Sequence, residues 1–100
     1  MVADIIAFGF PRPHAEELIH RLALQGRFVL EPVCKTKMRI RDFSMRQVLE
    51  TMKEGIINQG PRLDECGDWR CRLRKRHAGR LVRVIVAIHN MDFLYVISVH

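Results

Sequence analysis

Residues 69–76 read Trp-Arg-Cys-Arg-Leu-Arg-Lys-Arg, an alternation that an extended chain sorts cleanly into two faces. As a strand it carries Trp69, Cys71 and Leu73 on one side and Arg70, Arg72, Arg74 and Arg76 on the other. Successive guanidinium groups then stand roughly 7 Å apart along one face. A helix would scatter the same residues around its circumference. The segment therefore demands a sheet with one apolar face and one cationic face. Residues 81–89 place Val82, Val84, Val86 and Ile88 against Leu81, Arg83, Ile85, Ala87 and His89. Both of those faces are largely apolar, which predicts a central strand. Residues 93–99 alternate Phe93, Tyr95, Ile97 and Val99 with Leu94, Val96 and Ser98. The breaks His77-Ala78-Gly79 and Asn90-Met91 have turn chemistry, and connections this short imply an antiparallel meander.

Helical periodicity dominates upstream. Pro13 fits the first turn of a helix over residues 13–25, with Ala15, Leu18, Ile19 and Leu22 on one side and Gly26 just past its end. His14 and His20 on this helix read as surface polar residues, because neither has a second His or Cys three or four positions away to make a metal pair. Residues 27–31 read as a short strand closed by Pro32. Residues 33–41 predict a short helix with Val33, Lys37, Met38 and Arg41 sharing a side. Ser44-Met45-Arg46-Gln47 is a capping box, with Phe43 and Val48 at the staple positions. It opens a helix whose stripe of Met45, Val48, Leu49 and Met52 ends at Gly55. Residues 56–59 suggest another short strand, followed by Gly60-Pro61 and a loop over residues 63–68. The expected fold class is α+β: an N-terminal helix, then β-α-α, then the antiparallel meander, with the helices on one face of the sheet.

One hundred residues allow a single domain, expected as an N-terminal segment (1–12), a leader helix (13–25) and an α+β core (27–99). The apolar runs over residues 1–10 and 81–89 are shorter than the ~20 residues needed to cross a bilayer. The start lacks a basic region and carries Asp4, so it does not read as a signal peptide, and no membrane partner is expected. Cys34, Cys66 and Cys71 are an odd number, which favours free thiols and a reducing, cytoplasmic setting. Residues 1–69 hold ten basic and ten acidic side chains, so the net charge of +6 comes entirely from the last third, where seven Lys/Arg face Asp92 alone. Thirteen of the seventeen basic residues are arginine, whose planar fork suits phosphate. This concentration points to a polyanion, most simply nucleic acid.

Motifs for other chemistry are missing. There is no Walker loop, GxGxxG or HExxH, so no cofactor is expected. Cys66 and Cys71 have no second ligand pair at zinc-finger spacing, so no metal is expected either. Asp64, Glu65 and Asp68 read as a solvated loop.

As a whole the string resembles the bacterial family called domain of unknown function 4258. The resemblance runs over residues 26–99. It rests on Lys37-Met38-Arg39-Ile40-Arg41-Asp42-Phe43-Ser44, Val48-Leu49 through Gly55, Gly67-Asp68-Trp69-Arg70, Val84-Ile85-Val86-Ala87-Ile88 and Val96-Ile97-Ser98-Val99. Members are compared with RelE-, HigB- and BrnT-like toxins, which implies two helices on an antiparallel sheet, RNA as substrate and a neutralising antitoxin as partner. One departure stands out. The family's Met-x-x-Arg motif is present as Met38 and Arg41, but the His that usually precedes it by five residues is Val33 here.

Two functions follow as expectations. The first is a metal-independent endoribonuclease. Arg72, Arg74 or Arg83 would stabilise phosphate charge, and His89, Tyr95 or His100 would move protons, with Arg41, Arg70, Arg72, Arg74 and Arg76 binding the backbone. His100, the last residue of the sequence, also reads as a frayed end. The second is a non-catalytic basic module for nucleic acid or an acidic protein, which Val33 favours. Convergence of Arg41, Arg83 and a His or Tyr in one groove separates the two.

Overall fold

The computed structural model of the chain describes residues 9–100. Residues 1–8, and with them most of the expected N-terminal segment, lie outside the described residues. Three helices and five strands follow in the order α1 (Arg12–Leu24), β1 (Phe28–Leu30), α2 (Pro32–Arg41), α3 (Met45–Glu54), β2 (Ile56–Leu63), β3 (Trp69–His77), β4 (Arg80–His89) and β5 (Phe93–Val99). The strands form one sheet in the order β1-β5-β4-β3-β2, with β1 parallel to β5 and the other pairs antiparallel. β4 is the central strand, as its two apolar faces require. The turns at Ala78-Gly79 and Asn90-Met91 use positive φ at both residues, the geometry that joins twisted strands tightly.

α1 and α3 cover one face of the sheet. Ala15, Leu18, Ile19 and Leu22 from α1 and Val48 and Met52 from α3 bury against Leu73, Val82, Val84, Val86, Leu94 and Val96. Burial of this kind contributes about 25 cal/mol per Å² of apolar surface and dominates the stability of the fold. The Ser44 capping box forms as the sequence specifies: Gln47 N donates to Ser44 Oγ at 3.1 Å and Ser44 N donates to Gln47 Oε1 at 2.9 Å. The α3 stripe is shifted from the expected one. Met45 is exposed, and Thr51 is buried in its stead. Its hydroxyl donates to Gln47 O at 2.7 Å and lies 3.0 Å from His77 Nε2, which satisfies the polar atom inside the core. α1 is tied to the start of β2 by Glu16, whose carboxylate accepts from Ile57 N at 3.1 Å. His20, expected as a surface residue, places Nε2 2.7 Å from Gly55 O.

Two departures arise from irregular strand pairing. Gly60-Pro61, expected in a loop, lies inside β2, which continues to Leu63 through two register shifts against β3. Gly60 has φ +89, and a Cβ there would meet Arg70 O at 2.5 Å, so glycine is required. The second irregularity lies in β5. Val96 pairs with Val86 but Ser98 pairs with Ile85, so Ile97 is an extra residue in the ladder. Simple alternation puts Ser98 with Leu94 and Val96, and Val99 with Tyr95. The bulge reverses this: Val99 turns into the core, and Ser98 and the following His100 turn to the face of Arg72 and Arg83.

Candidate functional site

The face away from α1 and α3 is built in rows across the strands. Register places His100 beside Arg83 and Arg83 beside Arg74; one pair further along, Ser98 neighbours Ile85 and Ile85 neighbours Arg72. His100 is not frayed. Its N–H donates to Arg83 O at 2.9 Å and its carbonyl accepts from Arg83 N at 2.8 Å, which sets the two side chains side by side. α2 packs against β5 and brings Lys37 and Arg41, four residues apart on one helical side, to the same place. Lys37 Nζ donates to Ser98 Oγ at 3.0 Å.

His100 thus sits within the field of four cations. Burial, reinforced by the charges of Arg72, Arg83, Arg41 and Lys37, pushes its pKa below the usual histidine value. Burial and the four positive charges both disfavour the protonated imidazole, and the same charges favour an anion. Among the described residues the side chains of Arg41, Arg74 and Arg83 engage no carboxylate. Of the residues expected to converge, Arg83 and His100 are ladder partners, and the positive charge of Arg41 reaches the same histidine. Lys37, which the sequence reading left out of the site, completes it.

His89 and Tyr95 do not join this cluster. They stand together at the other end of the face, ring centroids 5.5 Å apart and edge-to-face, with Phe93 5.6 Å beyond Tyr95. His89 Nδ1 lies 2.8 Å from Asp68 Oδ1. Asp68 is therefore not the solvated loop residue expected from its neighbours; it is buried against His89. Asp64 accepts from Cys66 N at 2.9 Å and Asp68 N at 3.0 Å, closing the loop, and its second oxygen is 3.7 Å from Arg70 Nη2. A groove of about 410 Å³ opens beside Tyr95, lined also by Glu31, Val33, Asp68, Arg70 and Ala87.

The arginine row of β3 is consequently graded. Arg70 belongs to the acidic groove. Arg72 faces the His100 cluster and donates from Nε to Asn58 Oδ1 at 3.2 Å. Arg74 is exposed beside Arg83. Arg76 turns back on the hairpin and donates to Gly79 O at 3.2 Å. The cysteines are free, and burial raises the thiol pKa of Cys34 and lifts that of Cys71 to about 12, so both are inert; Cys66 is exposed. Among the described residues no three His, Cys, Asp or Glu side chains gather to hold a metal ion, and no helix is long and apolar enough to cross a membrane.

No curated protein and no solved structure matches the chain. The family described as domain of unknown function (DUF4258) matches residues 32–100, from the first turn of α2 through the meander. The matched segment contains every side chain of the cationic cluster, Lys37, Arg41, Arg72, Arg83 and His100, and leaves α1 and β1 outside. The chain belongs to the DUF4258 family.

Proposed function

We propose that this protein is a toxin-like, RNA-binding endoribonuclease of the bacterial cytoplasm, with its reaction centre at His100. The observation that carries the reading is the pairing of His100 with Arg83, beside Arg74, with Lys37 bonded to the neighbouring Ser98. A neutral imidazole accepts the proton of a ribose 2′-hydroxyl. The 2′-oxygen attacks the adjacent phosphorus, the bond to the 5′-oxygen breaks, and the proton held on His100 passes to that leaving oxygen. The products are a 2′,3′-cyclic phosphate and a free 5′-hydroxyl. The guanidinium groups of Arg41 and Arg83 stabilise the charge that builds on the phosphoryl oxygens. An antitoxin that masks the same cationic face is the partner this reading expects.

The test is incubation of a mixed RNA with the purified protein and with His100→Gln and Arg83→Ala variants checked for folding. Parent cleavage to cyclic-phosphate ends, reduced roughly 10²–10⁴-fold in His100→Gln with RNA binding retained, is the expected result. Undiminished cleavage by His100→Gln would remove the assigned base. A second reading is favoured by Val33, which stands where the resemblance places a histidine. On that reading the cluster only binds RNA, and the parent shows salt-sensitive binding with no cleavage.

A further inference from the structure

The groove beside Tyr95 differs in chemistry from the cluster at His100. It lies on the same face of the sheet but carries the carboxylates of Glu31, Asp64 and Asp68 against the single guanidinium of Arg70. A phosphate would be repelled there. A flat ring would not be. Tyr95 is braced edge-on by His89 at 5.5 Å and by Phe93 at 5.6 Å, and His89 is itself anchored by the 2.8 Å contact to Asp68. Val33, Ala87 and Ile97 supply apolar lining to the same groove. A fixed aromatic ring with apolar surroundings is the stacking platform that single-stranded nucleic acid uses, worth ~1–3 kcal/mol per base. Arg70 is held at the rim with its Nε buried and unpartnered and its Nη2 only loosely paired at 3.7 Å, leaving donor capacity to spare.

We infer that this groove is a nucleobase subsite selective for guanine, placed to read one base of the RNA strand whose phosphate lies at His100. The inference rests on the RNA reading above. Guanine alone among the four bases pairs two adjacent N–H donors with a neighbouring carbonyl acceptor. A carboxylate from Asp68 or Glu31 accepts from the donors, and the Arg70 guanidinium donates to the carbonyl oxygen. The groove lies four residues along β4 from Arg83, about 13 Å, a separation that a short single strand bridges. Val33 gains a meaning in this arrangement. Where the resemblance places a titratable histidine, the chain has an apolar wall for the base.

The experiment measures binding of fluorescent heptaribonucleotides, UUUGUUU, UUUAUUU, UUUCUUU and UUUUUUU, at fixed salt by anisotropy. The protein variants are Asp68→Asn, which keeps the shape and an acceptor for His89; Tyr95→Leu, which keeps apolar bulk and removes the flat ring; and Arg41→Ala. The expected result is about tenfold tighter binding of the guanine oligomer by the parent, a preference lost in Asp68→Asn and weakened in Tyr95→Leu. Arg41→Ala weakens all four alike. Equal binding of the four oligomers overturns the subsite and leaves the cationic cluster standing. A preference for another base, or a guanine preference untouched by Asp68→Asn and Tyr95→Leu, overturns it as well. Binding of none of the oligomers removes the RNA reading itself. Equal oligomer binding together with Asp68-dependent binding of an arginine-containing peptide would reassign the groove to a protein partner.

Discussion

Removing the Arg41 side chain offers a sharp test of the cationic cluster, because it changes charge with little else. Arg41 is exposed on the last turn of α2, and the contact it makes to Arg80 uses its main-chain oxygen. Alanine is also the better helix former, so the fold is preserved. Four cations face the site: Arg41, Lys37, Arg72 and Arg83. For a single strand, each neutralised phosphate contributes about −0.7 to the slope of log affinity against log salt, so four side chains that each meet a separate phosphate along the strand give about −2.8. Raising salt from about 50 to 200 mM then weakens binding about 50-fold in the parent. With Arg41→Ala the slope falls to about −2.1 and the same change costs about 18-fold. Arg46→Ala is the control. It lies on α3, behind the other face of the sheet, paired with Glu50 at 2.8 Å, and should leave the slope unaltered. The assay is anisotropy of a labelled uridine oligomer across a salt series. A parent slope flatter than about −1, or an Arg41→Ala slope equal to the parent's, refutes the argument that these side chains each meet a phosphate of the strand.

Three further outcomes concern the frame that holds the site. Gly55→Ala should destabilise by roughly 1–3 kcal/mol in urea unfolding, because its Cβ would press on Thr51 O and stand 2.9 Å from Arg74 O, both backbone atoms. Ser44→Ala should cost about 1 kcal/mol through loss of the capping box, read as a lower urea midpoint at unchanged slope. Because His100 has a lowered pKa when folded, the unfolded chain binds more protons just below the ordinary histidine value of about 6.5. Stability should therefore fall as pH drops through that window. Melting temperatures at about pH 7.5 and 5.5 should show a smaller acid loss in His100→Gln than in the parent.

The strands of the meander, β3 to β5, and their turns were legible because their signals are local. The alternation of Trp69 to Arg76 forces two faces, and the capping box at Ser44 fixes a helix start without outside help. The site was less legible because it depends on pairings distant in sequence. Arg83 was identified from its place on the cationic face, but its partner depended on the bulge at Ile97. Alternation alone puts His100 on the face of Leu94 and Val96, under the helices, whereas one extra residue turns it toward Arg83. No residue type in Val96-Ile97-Ser98 announces a bulge. Lys37 was more accessible: Val33, Lys37 and Arg41 lie on one side of α2, and two cations at that spacing flag a basic helix edge. Asp68 was misread because a loop rich in Asp and Glu looks solvated until the His89 side chain is brought to it across twenty-one residues.

The two borders of the sheet have a further consequence. β1 offers only three residues to a neighbouring strand, and β2 breaks its register twice within eight. Neither presents the long, even row of free amide and carbonyl groups on which a second chain could extend the sheet. A strand as continuous as β4, with apolar side chains on both faces, would be a nucleus for fibrous aggregation if it lay at the margin. Here it lies at the centre, flanked by β3 and β5, and the margins are too short or too irregular to propagate. Among the described residues, neither margin of the sheet therefore offers a regular template for strand-by-strand polymerisation.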